Sequence, residues 1–453
     1  MTLRRPAVLL CCVAALVPAC TSPGKGMIAL EGATLIDGSG GPPKTDALIL
    51  VKDGIIKAVA RVNEIKVPRG AEEINLIGKT IIPGLIDAHA RVERWALPRY
   101  LAWGVTTVRD LHSPDDSGYA VKKDVDLGSV LGPRMFTSGP AIDGMAATLP
   151  GASAVAGDEE ARQAVDQRAL AGADLVSVYT KITPELLRPI VDEASTLRLR
   201  VAARVGKIDA LTAARLGVVS LEQLSGIVEA AVPDPGPYYR ANDLFYAGLT
   251  MEEEGWSTLD SVTVARLART LAETRVGIVP ALVEHETFAR LDDPALARRL
   301  GMSDVPADTA LRVRGVAALL QRSGWRDADF ATFRRARARQ DQFVREFKAA
   351  GGLVATGTDA ANPLLVPGAS LHEELALLVA AGLTPIDAIT AATRHGAQLL
   401  GADSLGLLAP SKLADLVVLN RSPVEDVTAT RDIAWVMVRG RMLKPDSLRT
   451  GWR

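Results

Sequence analysis

A chain of 453 residues with 48% hydrophobic but only 4% aromatic content is long enough for one large α/β unit and one small unit, with a core of Ala, Leu and Val. Lys and Arg number 52 against 53 Asp and Glu, a net charge of −1, which gives no electrostatic basis for a nucleic-acid partner. The three cysteines, Cys11, Cys12 and Cys20, all lie at the N-terminal end, so the rest of the chain has no thiol for a disulfide or a Cys-type zinc site, as suits an oxidising compartment.

In chain order, residues 1–19 read as a signal peptide. Arg4 and Arg5 precede an apolar run over 7–17, too short to span a bilayer. Val17-Pro18-Ala19-Cys20 resembles a bacterial lipobox, which implies lipidation of Cys20, a tether over 20–26, and a cell-envelope protein held on the membrane at its periplasmic or extracellular face. Ordinary cleavage after Ala19, giving a soluble secreted protein, is the alternative. Residues 27–82 read as strands over 28–30, 47–51 and 55–60, with Lys52-Asp53-Gly54 as a hairpin turn. Over 83–404, strands and helices alternate as in a parallel barrel. Strands are predicted at 80–87, 106–110, 134–138, 175–179, 200–204, 218–221, 277–283 and 353–358, with helices at 158–171, 185–197, 208–216 and 261–274 between them. Two stretches, 226–258 and 285–330, exceed a minimal barrel and read as lids or substrate walls. Strands return at 414–419 and 435–440, within a second β-segment over 405–443, and a tail follows over 444–453.

Gly84-Leu85-Ile86-Asp87-Ala88-His89-Ala90-Arg91 and Gly357-Thr358-Asp359 each close a run of apolar, strand-forming residues. Together with Leu407-Leu408-Ala409-Pro410-Ser411-Lys412-Leu413-Ala414-Asp415-Leu416, they resemble the amidohydrolase superfamily. Leu383-Thr384-Pro385-Ile386-Asp387-Ala388-Ile389-Thr390-Ala391-Ala392-Thr393, followed by Leu399-Leu400-Gly401, is similar to the imidazolonepropionase and Xaa-Pro dipeptidase branch. The resemblance spans roughly residues 27–443. It implies an α/β fold, a (β/α)8 TIM-like barrel inserted in a small β-sandwich built from both chain ends, and a hydrolase acting on C–N bonds of dipeptides or cyclic amides.

In such a barrel the chemistry sits at the C-terminal ends of the strands. The family places two His after strand one, a carbamylated Lys after strand four, His after strands five and six, and Asp after strand eight. This sequence has His89 and Arg91, then Ser177, Arg204, Gln223 and Asp359 at those places. Lys181 is a weak substitute for the missing Lys. A guanidinium has five donors, no lone pair and a permanent charge, and catalytic zinc usually needs three protein ligands. His89 and Asp359 are therefore vestigial metal positions. His372 and His395 read as structural residues of the terminal helices, and His112 and His285 as polar loop residues near the mouth.

The expectation is an envelope lipoprotein whose two-metal centre is degenerate. Arg91, Ser177, Arg204 and Gln223 would line a metal-free cationic pocket for a small anionic molecule, with His89 and Asp359 as candidates for altered acid/base chemistry. No cofactor is expected. One alternative is a residual hydrolase with a single weakly bound zinc or manganese. Another is a non-catalytic structural or partner-binding lipoprotein. The sequence leaves the oligomeric state open.

Overall fold

Asp53 and Gly54 both take left-handed backbone, φ 53° and 71°, the pairing that a two-residue hairpin turn requires. They fold strand Lys44–Lys52 back on Ile55–Arg61. The computed structural model describes residues 23–450 except 297–300, 303–304, 307–314 and 363; the signal segment and Cys20 lie outside the described residues. The hairpin belongs to an eight-stranded sheet drawn from both ends of the chain. Its order is Arg441–Leu443, Ile433–Val438, Leu416–Leu419, Thr80–Pro83, Met27–Leu35, Lys44–Lys52 and Ile55–Arg61, with Glu72–Asn75 added beside Met27–Leu35. Leu30, Ile49, Ile56 and Ile81 pack with Val418 and Met437 in one cluster, so the sheet folds over on itself around a shared interior.

The strand predicted at 80–87 is two strands of two different sheets. Thr80–Pro83 pairs antiparallel with Leu416–Leu419, and Leu85–Ala90 starts the barrel. A continuous β-branched run carries no mark of the change of sheet; Gly84 does. A Cβ built there would stand 2.0 Å from Thr106 Oγ1 of the neighbouring barrel strand, so only glycine lets the chain cross at that distance.

The barrel strands are Leu85–Ala90, Val105–Asp110, Arg134–Thr137, Leu175–Val178, Arg200–Ala203, Ser220–Glu222, Gly277–Val279 and Leu353–Val354, with parallel neighbours. Backbone hydrogen bonds complete the ring. Asp174 N donates to Thr137 O at 2.9 Å; at the other seam Ala88 N donates to Thr356 O at 2.9 Å and Thr358 N to His89 O at 3.0 Å, and Ala90 bridges Ala360. This is a TIM-like (β/α)8 barrel inserted in a β-domain made by both chain ends.

Three strand ends differ from expectation. The sixth strand reaches Glu222, with Gln223 just beyond it at φ 57°. The seventh stops at Val279, because Ala281 turns to φ 48° and a helix, Leu282–Ala289, begins. The eighth leaves its ladder at Val354 and continues extended against the first strand. The stretch 226–258 forms three helices, Ile227–Ala231, Gly236–Ala241 and Phe245–Thr258. Within 285–330 the described residues include helix Val316–Ser323 and the start of the long helix Asp327–Ala349. In the tail, helix Pro445–Arg449 packs on Leu97–Ala102, and the Arg449 guanidinium lies 5.1 Å from the Trp103 ring centre. No helix among the described residues is long and apolar enough to cross a membrane.

Candidate functional site

Closing the eighth strand on the first brings Asp359 against His89 and Arg91. Asp359 is fully buried. Its Oδ1 accepts a hydrogen bond from Arg91 Nε at 2.9 Å and faces His89 Nε2 at 3.5 Å. Its Oδ2 accepts from Gln223 Nε2 at 2.9 Å and from Asn362 Nδ2. Burial alone would raise the pKa of this carboxyl, but the charges of Arg91 and His89 outweigh it and hold the group far below the usual carboxylate range.

His89 is gripped from its other side. Its Nδ1 lies 2.8 Å from Glu222 Oε2, and Glu222 Oε1 accepts from Arg109 Nη2 at 2.7 Å and from Ser220 Oγ at 2.5 Å. Arg109, fully buried, also donates to Ser220 Oγ at 3.0 Å and to the carbonyl of Ala88. Burial works against a charged imidazole, but Asp359 and Glu222 prevail and raise the His89 pKa to about 9. The ring is therefore an imidazolium at neutral pH, donating from both nitrogens. Glu222 is held low despite its burial, by Arg109 and His89.

Gln223 spans two acids, donating from Nε2 to Asp359 and, at 2.5 Å, to Glu284 Oε2. Burial, reinforced by the charge of Asp359 and opposed by Arg204, pushes Glu284 up to about 7. His285 is not the polar loop residue that was expected. It is buried on the helix after the seventh strand, with Nδ1 2.5 Å from Glu253 Oε1 and Nε2 3.1 Å from the Gln223 carbonyl, and so supports the backbone that aims Gln223. His112 is buried too, its Nδ1 accepting from Ala141 N and its Nε2 facing Pro150 O. Burial and the Arg91 charge lower its pKa to about 4. His372 bonds Thr430 and the Trp103 carbonyl, and His395 the Val354 carbonyl; both lie in helical packing away from the mouth. Lys181 donates to the Ala146 carbonyl.

Arg204 does not join Arg91 on Asp359. Its Nη1 donates to Tyr179 OH at 3.0 Å, and its guanidinium lies beside two rings stacked on each other, 5.6 Å from the centre of Tyr179 and 5.0 Å from that of Phe245. Phe245 begins helix Phe245–Thr258, so the 226–258 insertion fixes this arginine. Arg204 is 5% exposed and has no ion-pair partner among the described residues. Ser177 lines a small hollow with Arg204, Tyr179, His89 and Arg91, of about 10 Å³. Arg91, Leu149 and Tyr179 also line a larger cavity of about 380 Å³, walled by Phe245, Tyr246, Phe288 and Leu319.

Five participants were absent from the expected set: Arg109, Tyr179, Glu222, Glu284 and Asn362. Arg109 and Glu222 carried a signal, since each is a charge in a short strand that otherwise offers mostly apolar or small residues. Such a charge is buried only when paired. Tyr179, Glu284 and Asn362 stand after their strands, where nothing in the spacing marks an inward side chain.

The sequence profile of the amidohydrolase family matches residues 80–443, which covers the whole ring of strands and both seams. Ochratoxinase of Aspergillus niger is 24% identical over 95% of this chain and 89% of its own length. Imidazolonepropionase of Cereibacter sphaeroides is 25% identical over 86% of this chain and 91% of its own. The solved structure of bottromycin amidohydrolase superposes with a TM-score of 0.73 at 23% identity, covering 93% of this chain and 88% of that one. The matched span and the barrel agree, and the chain belongs to the amidohydrolase family.

Proposed function

We propose that this protein has left the two-metal hydrolysis of its family and uses the barrel mouth as a cationic pocket for a small anionic molecule. One observation carries the proposal: the carboxylate of Asp359 is already taken by Arg91, Gln223 and Asn362. The other strand-end residues do not fit a dinuclear centre either. Arg91 and Arg204 have no lone pair to give a metal, Ser177 stands where a carbamylated Lys would be needed, and Gln223 turns its NH2 donor inward. A unit positive charge about 5 Å from a guanidinium meets roughly 3 kcal/mol of repulsion at an effective dielectric of about 20, and a dication about twice that. His89, held as an imidazolium, adds to the same field. An anion meets the opposite balance, because Arg91, Arg109, Arg204 and His89 outnumber the ionised carboxylates of Asp359 and Glu222, with Glu284 held only partly ionised near neutral pH.

The likeness to ochratoxinase and imidazolonepropionase supports the rival reading, a metal-dependent hydrolase of C–N bonds with one zinc or manganese. Elemental analysis of protein purified with and without those metals separates the two. The expected content is well under one equivalent; stoichiometric metal surviving dialysis, with hydrolysis of an N-acyl amino acid or a cyclic amide, would replace the proposal by its rival. The same protein is proposed to be lipid-anchored in the cell envelope through Cys20.

A further inference from the structure

Arg204 is a buried guanidinium that forms no ion pair among the described residues, although Glu284, Glu252 and Asp359 are near enough to act on its charge, and buried charges are ordinarily paired. Among the described residues only Nη1 is hydrogen-bonded, to Tyr179 OH. The remaining donors form a planar fork of the kind that receives a carboxylate with two parallel hydrogen bonds. The hydrogen bond to Tyr179 OH and the neighbouring Tyr179 and Phe245 rings hold the guanidinium in place before any ligand arrives, which lowers the ordering cost of binding.

The space around it has two compartments. The inner hollow is lined by Arg204, Ser177, His89 and Glu222, the last already paired with His89 and Arg109; at about 10 Å³ it has room for one water-sized group and hence for one oxygen of a ligand's head. The outer cavity of about 380 Å³ shares Arg91, Leu149 and Tyr179 with it, so the two are contiguous. Its far wall is apolar, with Phe245, Tyr246, Phe288 and Leu319. Beyond Arg91, the charged wall residues are Arg322 and Glu284, and the wall of Phe245, Tyr246, Phe288 and Leu319 offers no partner to a second anionic group.

Resting on the anion-binding reading above, we infer that the ligand is a monocarboxylate with an apolar body, seated head-in. Its carboxylate lies on Arg204 beside Ser177, and its body fills the cavity walled by Phe245, Tyr246, Phe288 and Leu319. The carboxylate thus occupies the place of a vanished metal ligand, with reversed polarity: the protein supplies the cation and the ligand the lone pairs.

Titration calorimetry of the purified mature protein with acetate, hexanoate, octanoate, 4-phenylbutyrate, succinate and octan-1-ol tests this. The expected result is a Kd that tightens about fourfold per added methylene, so roughly fifteenfold from hexanoate to octanoate. 4-Phenylbutyrate should bind, and octan-1-ol should bind at least tenfold more weakly than octanoate. Arg204→Gln should weaken octanoate at least tenfold, and Phe288→Ala should flatten the dependence on chain length. The wild-type series decides the matter even if Arg204→Gln does not fold. Succinate binding as tightly as octanoate, or a Kd indifferent to chain length, overturns the inference and leaves the anion-binding reading standing. Octanoate binding unchanged in Arg204→Gln overturns it as well. Failure of every anion to bind a metal-free protein overturns both readings.

Discussion

Arg91 and Asp359 stand 268 positions apart in the sequence and meet at 2.9 Å, beside the bridge of Ala90 with Ala360 that seals the barrel. The ion pair and the seam are one piece of structure. Arg91 ties the last strand to the first, so the residues that shape the pocket contribute to the stability of the fold.

Loss of Asp359 is therefore costly. Asp359→Ala strands the Arg91 guanidinium and leaves the His89 imidazolium with Glu222 alone, and breaking a buried pair from one side costs roughly 3–5 kcal/mol, against about 0–1 for a surface pair. Arg91 is less buried than Asp359, so Arg91→Ala should cost less, and the double variant less than the sum of the two. Urea denaturation of the three variants measures this; strict additivity would mean that the pair is not coupled.

The charge on His89 sets a pH dependence. Its folded pKa of about 9 exceeds the ordinary value of about 6.5, so its contribution is complete below pH 6.5 and is lost as pH rises through 9. The gap of about 2.5 units corresponds to roughly 3 kcal/mol at most. Glu284 and Asp87, each raised by burial to about 7, and Glu374, raised by burial to about 8, add a loss of the same sign over a lower window, beginning near the ordinary carboxyl pKa of about 4 and complete at those values. The stability difference between wild type and His89→Asn isolates the imidazole. That difference should shrink between pH 6.5 and 9; a constant difference would show that the ring is neutral.

Gly84 should tolerate no side chain. In Gly84→Ala the new methyl would stand 2.0 Å from Thr106 Oγ1 and 2.7 Å from its Cγ2, forcing apart two adjacent barrel strands at a cost of about 1–3 kcal/mol or more. Thr106→Ala removes both atoms and leaves only Cβ, at 2.8 Å. The double variant should recover part of the lost melting temperature, and equal melting of the single and double variants would place the damage elsewhere.

Replacing Cys20 by Ala should move the protein from the membrane pellet to the soluble periplasmic fraction, because the several acyl chains of a lipoprotein anchor firmly while a polypeptide tether alone does not. Fractionation with metabolic fatty-acid labelling reads this directly. Unlabelled wild-type protein that is already soluble would favour ordinary secretion.

Much of the fold was legible because it rests on local signals. Asp53-Gly54 announced its hairpin, and the ends of strands one and eight were marked by His89 and Asp359 in recognisable surroundings. What was illegible is non-local. The run through Thr80 to Asp87 reads as one strand, and only the contact of Gly84 with Thr106 shows that it changes sheet. Arg204 and Asp359 were expected to share one pocket because both belong to strand ends. The structure gives Arg204 instead to Tyr179 and Phe245, and Phe245 comes from an insertion whose path the sequence pattern does not specify. Glu222 and Arg109 were overlooked beside the more conspicuous departures from the family's ligands, although a charge within an apolar strand points to a buried partner.

Strand Thr80–Pro83 is flanked by Met27–Leu35 on one side and Leu416–Leu419 on the other. During synthesis the first neighbour is made early and the second only after nearly the whole barrel has been translated. Until then an apolar strand has an open edge, the condition that invites pairing with another chain. A ribosome that stalls anywhere in the barrel would release a polypeptide with that edge uncovered, so late quality control has a built-in mark by which to tell an unfinished molecule from a finished one.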